Sequence, residues 1–143
     1  MEAFGGRLAQ ATRQGGMIFL KGELGAGKTT LVRGLMRALG YHGRVKSPTY
    51  TLLESYRLEG KNIYHLDLYR LADAEELEWI GIRDLLDEAD LCLVEWPERG
   101  FGVLPTPDLE IGIEYRGDGR VLELFPRSAR GRDMLRCLDI PQV

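Results

Sequence analysis

Two kinds of apolar pattern follow one another along the chain, and their order predicts its elements. "GMIFLKG" (16–22) is a short continuous apolar run between glycines, the pattern of a strand covered on both faces. From Lys28 the period changes: Leu31, Val32, Leu35, Met36 and Leu39 recur at helical spacing until Gly40 supplies a stop. Gly34 interrupts that helix at a cost of about 1 kcal/mol against alanine. Ahead of these, residues 2–14 predict a short helix with Phe4, Leu8 and Ala11 on one face.

Downstream, "TYTLLESYRL" (49–58) and "NIYHLDLYRL" (62–71) flank Glu59-Gly60-Lys61 as an antiparallel hairpin. In its second run Tyr64, Leu66 and Leu68 alternate with His65, Asp67 and Tyr69, which predicts one apolar face and one face of ionisable groups. Asp73 and Glu76 have capping-box spacing ahead of a helical stretch over 74–89 that Gly81 should break. "LCLV" (91–94) is a second buried-strand run and ends at Glu95-Trp96-Pro97. "DLEIGIEYR" (108–116) and "VLELF" (121–125) form a second hairpin around Gly117-Asp118-Gly119, and a helix over 128–138 follows. This order predicts an α/β, three-layer fold, a mixed sheet flanked by helices, with residues 1–143 as a single domain.

Composition narrows the function classes. The net charge of -3 supplies no global positive field for nucleic acid or acidic membrane. Cys92 and Cys137 are too far apart for a CxxC metal or redox pair, and two lone thiols suit a reducing compartment. The start lacks a basic patch followed by an apolar stretch, and no apolar run approaches the ~20 residues of a spanning helix. The expectation is a cytoplasmic protein with no membrane and no DNA partner.

The chemistry concentrates in "GELGAGKTT" (22–30), where Gly22 to Thr29 match G-x-x-x-x-G-K-[ST] at every fixed position. Glycines let the backbone curl until successive N–H groups point at phosphate oxygens, and the helix starting at Lys28 adds the positive end of its dipole. The Lys28 ammonium reaches the β and γ phosphates, and the Thr29 hydroxyl can ligate Mg²⁺. Glu23, Leu24, Gly25, Ala26, Gly27, Lys28, Thr29 and Thr30 are therefore the expected nucleotide contacts. A dinucleotide fingerprint is absent. So is the Asn/Thr-Lys-x-Asp guanine reader, since the single Asn62 precedes Ile63; adenine is favoured by elimination.

Hydrolysis also needs a carboxylate for Mg²⁺ or water and a group that registers the γ-phosphate. Glu95 ends a buried strand, where open α/β sheets border their ligand crevice. Asp67 lies on the polar face of its strand; the sequence leaves open which acid meets Mg²⁺ and which orients water. Thr49, in "SPTY" (47–50), occupies the slot of a γ-phosphate-sensing threonine. Trp96 follows Glu95 and is placed to stack on a base or meet a partner. His65 reads first as a packed or surface histidine. Arg127, Arg130, Arg132 and Arg136 make a basic end that suits a solvated helix, RNA or a partner. Two rival functions stay open: a small P-loop kinase, with Arg70, Arg83 or Arg99 as lid arginines, and a nucleotide-gated adaptor without turnover.

With these residues in place, the chain resembles the TsaE (YjeE) family, small bacterial P-loop ATPases of tRNA threonylcarbamoyladenosine (t6A) biosynthesis. The matching segments are "GELGAGKTTLVRGL" (22–35), "SPTYTL" (47–52), "HLDLYRL" (65–71), "EELEWIGIRDLL" (75–86) and "VEWPE" (94–98). The resemblance implies a P-loop NTPase-like fold, ATP and Mg²⁺ as cofactors, and slow hydrolysis that gates or resets the TsaD and TsaB partners. It implies tRNA contact only through that complex. It makes Lys28 and Thr29 the phosphate and Mg²⁺ holders, Thr49 the switch threonine, Asp67 a functional acid, and Glu95 the acid at Mg²⁺ or water beside Trp96. Glu23 stands where that family usually has Asp, and Tyr50 and Leu66 where it often has Phe; none of these removes a chemical group from the site. The segment after Pro105 carries no motif of the resemblance.

Overall fold

The two continuous apolar runs lie side by side as parallel strands β1 (Gly16–Lys21) and β4 (Leu91–Glu95), at the centre of a sheet covered on both faces. The structure is a computed structural model describing residues 1–23 and 25–139. The six strands run in the order β2-β3-β4-β1-β5-β6. β3 (Lys61–Asp67) and β5 (Leu109–Arg116) extend the parallel centre. Each is joined by a hairpin to an antiparallel edge strand, β2 (Leu53–Leu58) and β6 (Gly119–Pro126).

Alternation along the strands builds two cores. On one face Ile18, Leu20, Leu91, Leu93 and Ile111 pack with α1 (Glu2–Ala11), α2 (Lys28–Ala38) and α5 (Ala129–Cys137). On the other, Phe19, Leu66, Cys92 and Val94 pack with α3 (Glu75–Trp79) and α4 (Ile82–Glu88). Each fully buried leucine or isoleucine contributes about 1.5–3 kcal/mol. The result is the three-layer α/β arrangement with a mixed sheet that the patterning predicts. Among the described residues no helix is long and apolar enough to cross a membrane.

α2 starts at Lys28 as expected and closes with paired bonds from Tyr41 N to Met36 O (2.9 Å) and Gly40 N to Arg37 O (3.1 Å). Gly34 has a packing reason: a Cβ there would lie 2.3 Å from the Glu2 carbonyl oxygen, and one at Gly5 2.2 Å from that of Leu31. The α1 and α2 backbones touch through these two glycines. The predicted 74–89 helix breaks at Gly81, as expected. Glu76 Oε2 accepts from Asp73 N at 3.1 Å, the return bond of the capping box.

Two expectations are corrected, and a third feature goes beyond the pattern. The first hairpin strand begins at Leu53 rather than 49, because Leu52 N bonds back to Pro48 O at 2.8 Å and closes a turn. β3 ends at Asp67 rather than 71, because Leu71 N bonds back to Leu68 O at 3.1 Å and closes a turn. The ionisable face of β3 is not open to solvent: Ile63 through Asp67 are all buried, because this strand lies inside the sheet under α2.

The second hairpin is pinned to the centre by Asp108. Its carboxylate accepts from Met17 N at 2.8 Å and from Ser128 Oγ at 2.6 Å. Ser128 in turn caps α5 by accepting from Gly131 N at 3.0 Å. One acid thus ties the starts of β1, β5 and α5 together.

Candidate functional site

β1 delivers the chain to the loop, and α2 takes it away. Gly27, the N-cap of α2, has φ 112°, a conformation L-residues avoid, and the first helical bond runs from Leu31 N to Gly27 O at 2.9 Å. The N–H groups from Gly27 to Thr30 precede that bond and have no acceptor within the helix. They gather at the positive end of the helix dipole, a ready anion site.

The second hairpin braces the outside of this loop. The Tyr115 hydroxyl donates to the Gly25 carbonyl, and Arg120 Nε donates to the Ala26 carbonyl at 3.0 Å. Arg120 also lies 3.9 Å over the Tyr115 ring. These bonds tie the loop's carbonyls to the second hairpin. Sequence reasoning missed both residues, because a hairpin with ordinary alternation carries no motif that names its target.

Facing the loop is a cleft of about 250 Å³ lined by Lys28, Thr29, Thr49, Asp67, Glu95 and Trp96. Gly25, Gly27 and Thr30 complete its loop side. Asp67 and Glu95 are register partners at the carboxyl ends of β3 and β4, so both carboxylates leave the sheet on the α2 face. Asp67 Oδ2 accepts from Thr49 Oγ1 at 3.2 Å, and its Oδ1 accepts from Tyr69 N at 2.9 Å. Thr49 also meets Ser47 Oγ at 2.8 Å. Glu95, only 3% exposed, places Oε2 2.5 Å from His65 Nε2.

Lys28 links loop and acids. Its Nζ donates to the Gly22 carbonyl at 2.6 Å and stands 4.1 Å from the centroid of the Trp96 ring. Burial pulls its pKa below the usual lysine value, opposed by the charges of Glu95, Asp67 and Glu98. Trp96 adopts φ 56°, a left-handed conformation that costs a bulky residue about 1–3 kcal/mol. It packs on Tyr69 with centroids 4.9 Å apart. Among the described residues its indole nitrogen has no hydrogen-bond partner. On the opposite side of the loop, a second cavity of about 500 Å³ is lined by Phe4, Thr30, Asp118, Arg120 and Leu122.

The fold therefore brings Gly25, Gly27, Lys28, Thr29, Thr30, Thr49, Asp67, Glu95 and Trp96 to one cleft, although they come from four separate segments. Ala26 is buried within the loop. Glu23 is exposed and borders a neighbouring depression with Trp96 and Tyr115. Leu24 lies outside the described residues. The arginines considered for a kinase lid sit elsewhere: Arg70 over Tyr50 at 4.3 Å, Arg83 on Glu78 at 3.1 Å, and Arg99 near Tyr69 at 5.8 Å. At the basic end, Arg127 pairs with Glu110 at 2.6 Å and Arg136 with Asp133.

The chain is similar in sequence and fold to known proteins. A family model described as threonylcarbamoyl adenosine biosynthesis protein TsaE matches residues 1–122. A Haemophilus influenzae protein named tRNA threonylcarbamoyladenosine biosynthesis protein TsaE is 52% identical over 119 residues, 83% of this chain and 75% of that one. A Treponema pallidum protein of the same name is 38% identical over 115 residues, 80% of this chain and 82% of its own. Among solved structures, Bacillus subtilis YdiB superposes with a TM-score of 0.80 at 28% identity, covering 96% of this chain and 86% of that chain.

Proposed function

The chain belongs to the TsaE family of threonylcarbamoyl adenosine biosynthesis proteins, and from that premise we propose that it is the Mg²⁺-dependent ATPase of tRNA t6A formation. One observation carries the proposal. Lys28 and Thr29 of the loop face Asp67 and Glu95 across a single small cleft at the carboxyl ends of the central strands.

The residues fit a triphosphate with its metal. Mg²⁺ is usually held by one or two carboxylates together with substrate phosphates, not by an all-protein cage. The Thr29 hydroxyl and Glu95 are oxygen donors of that kind in this cleft. Held by Thr29 and Glu95, Mg²⁺ would neutralise the charge that develops on the phosphates.

The chain's own groups do the rest. The N–H groups of Gly27 to Thr30 take phosphate oxygens, and Lys28 exchanges the Gly22 carbonyl for the β and γ phosphates. A water held between Glu95 and Asp67 attacks the γ-phosphorus as the bond to the β,γ-bridging oxygen breaks. ADP departs, and the water's proton passes through a carboxylate to the released phosphate. Thr49, hydrogen-bonded to Asp67, is placed to register the γ-phosphate. The cavity lined by Phe4, Thr30, Asp118 and Arg120, which shares Gly25, Gly27 and Thr30 with the cleft, would take ribose and base.

Hydrolysis in this scheme gates or resets TsaD and TsaB homologues in the cytoplasm, and tRNA is reached through that complex. The test is threonylcarbamoylation of tRNA reconstituted from the partner proteins. Multiple turnover should require this chain and fail with Lys28→Ala. Equal multiple turnover without the chain contradicts the proposal.

A further inference from the structure

His65 stands two residues before Asp67 on β3, and its register partner Leu93 stands two before Glu95 on β4. Strand alternation therefore puts His65 and Glu95 on the same face. His65 is completely buried, with Nε2 2.5 Å from Glu95 Oε2. A carboxylate oxygen can only accept, so the hydrogen of this bond is carried by Nε2. Among the described residues Nδ1 has no partner at all. The cleft is lined by Glu95 but not by His65, which stands behind it.

We infer that His65 is a positioning residue: it fixes the rotamer of Glu95 so that the second carboxylate oxygen is presented to the γ-phosphate end of the cleft. This rests on the ATPase reading above and deepens it. A glutamate has three rotatable side-chain bonds, and freezing them costs side-chain entropy. A hydrogen bond to a charged group offsets that cost. Backing groups of this kind change activity by about 10- to 100-fold when removed, without touching the substrate themselves. The hydrogen bond described for His65 goes to an acid that lines the cleft.

The experiment compares His65→Gln with His65→Asn. The glutamine amide overlays Nε2 and can still donate to Glu95; the asparagine amide overlays Nδ1 and falls short. The thermal midpoint and the double variant with Glu95→Gln separate a packing defect from lost positioning. Phosphate release under saturating Mg-ATP, affinity for a non-hydrolysable ATP analogue and the thermal midpoint are measured for each, alone and with Glu95→Gln.

The expected result is kcat for His65→Asn at least about tenfold below that for His65→Gln, with analogue affinity within about threefold of the parent. Adding His65→Asn to Glu95→Gln should lower turnover no further, because the two act through one carboxylate. Equal kcat for the asparagine and glutamine variants overturns the inference, as does an additive loss in the double variant. If Glu95→Gln alone keeps full turnover, the ATPase reading of Glu95 falls and the inference falls with it. If Glu95→Gln is inactive while His65→Asn is unaffected, only the inference falls.

Discussion

Replacing Gly34 by alanine should destabilise the protein, although the helix itself would gain. In an isolated helix the change is worth about 1 kcal/mol in favour of alanine. Here the new Cβ would lie 2.3 Å from Glu2 O and 2.7 Å from Glu2 Cα, both backbone atoms with no rotamer to move. Ordinary contact is reached only if α1 retreats by roughly 1 Å, and forced overpacking of this sort costs about 1–3 kcal/mol. That retreat also loosens Leu8 and Ala9, which α1 buries against the sheet. The clash outweighs the propensity gain, leaving a net loss of up to about 2 kcal/mol. For a chain of this size that lowers the thermal midpoint by up to about 6 °C. Circular dichroism melting of parent and variant measures it. A midpoint that rises would refute the claim that the two helices meet backbone to backbone.

Two other outcomes follow from the same structure. Burial pushes the Glu110 carboxyl up, but hydrogen bonds and charge from Arg127 and Lys21 outweigh it, so its pKa lies below the ordinary 4.5. Its contribution is present above pH 4.5 and lost as pH falls through the lowered folded-state value, so Glu110→Gln should destabilise at pH 7 and matter progressively less as pH falls below 4.5. Equal stability of parent and variant in urea unfolding at pH 7 would contradict this. Separately, Lys28 lies 4.1 Å from the Trp96 ring centroid, so a nucleotide that draws the ammonium away should change Trp96 emission. With Trp79, 79% exposed, replaced by phenylalanine, titration of ATP should give a saturable change that Lys28→Ala abolishes; an unchanged spectrum would contradict the placement.

Much of the fold was legible because period and punctuation agreed. The run at 16–22 and the run at 91–94 could only be covered strands, and the start of α2 at Lys28 is set by the same glycines that shape the loop. The candidate site was legible where a motif has fixed spacing, in Gly22 to Thr29, and where a strand ends in an acid, at Glu95. β3 was legible as one apolar and one ionisable face, but alternation alone left open whether water reaches the second. Here His65 and Asp67 are polar because of what lies beneath α2, not because water reaches them. Gly34 looked like a cost to its helix until the path of α1 supplied its reason. Tyr115 and Arg120 could not be read at all, because their contacts with Gly25 and Ala26 bridge about ninety residues and depend on how the second hairpin docks.

The most direct test separates binding from hydrolysis at Glu95. Under saturating Mg-ATP, Glu95→Gln keeps the shape and removes the charge, so it should bind a non-hydrolysable ATP analogue within a few-fold of the parent yet release phosphate at least about 100-fold more slowly. Lys28→Ala should fail at binding itself. Phosphate release at the parental rate from Glu95→Gln would contradict the assignment of this cleft as the place where ATP is cleaved.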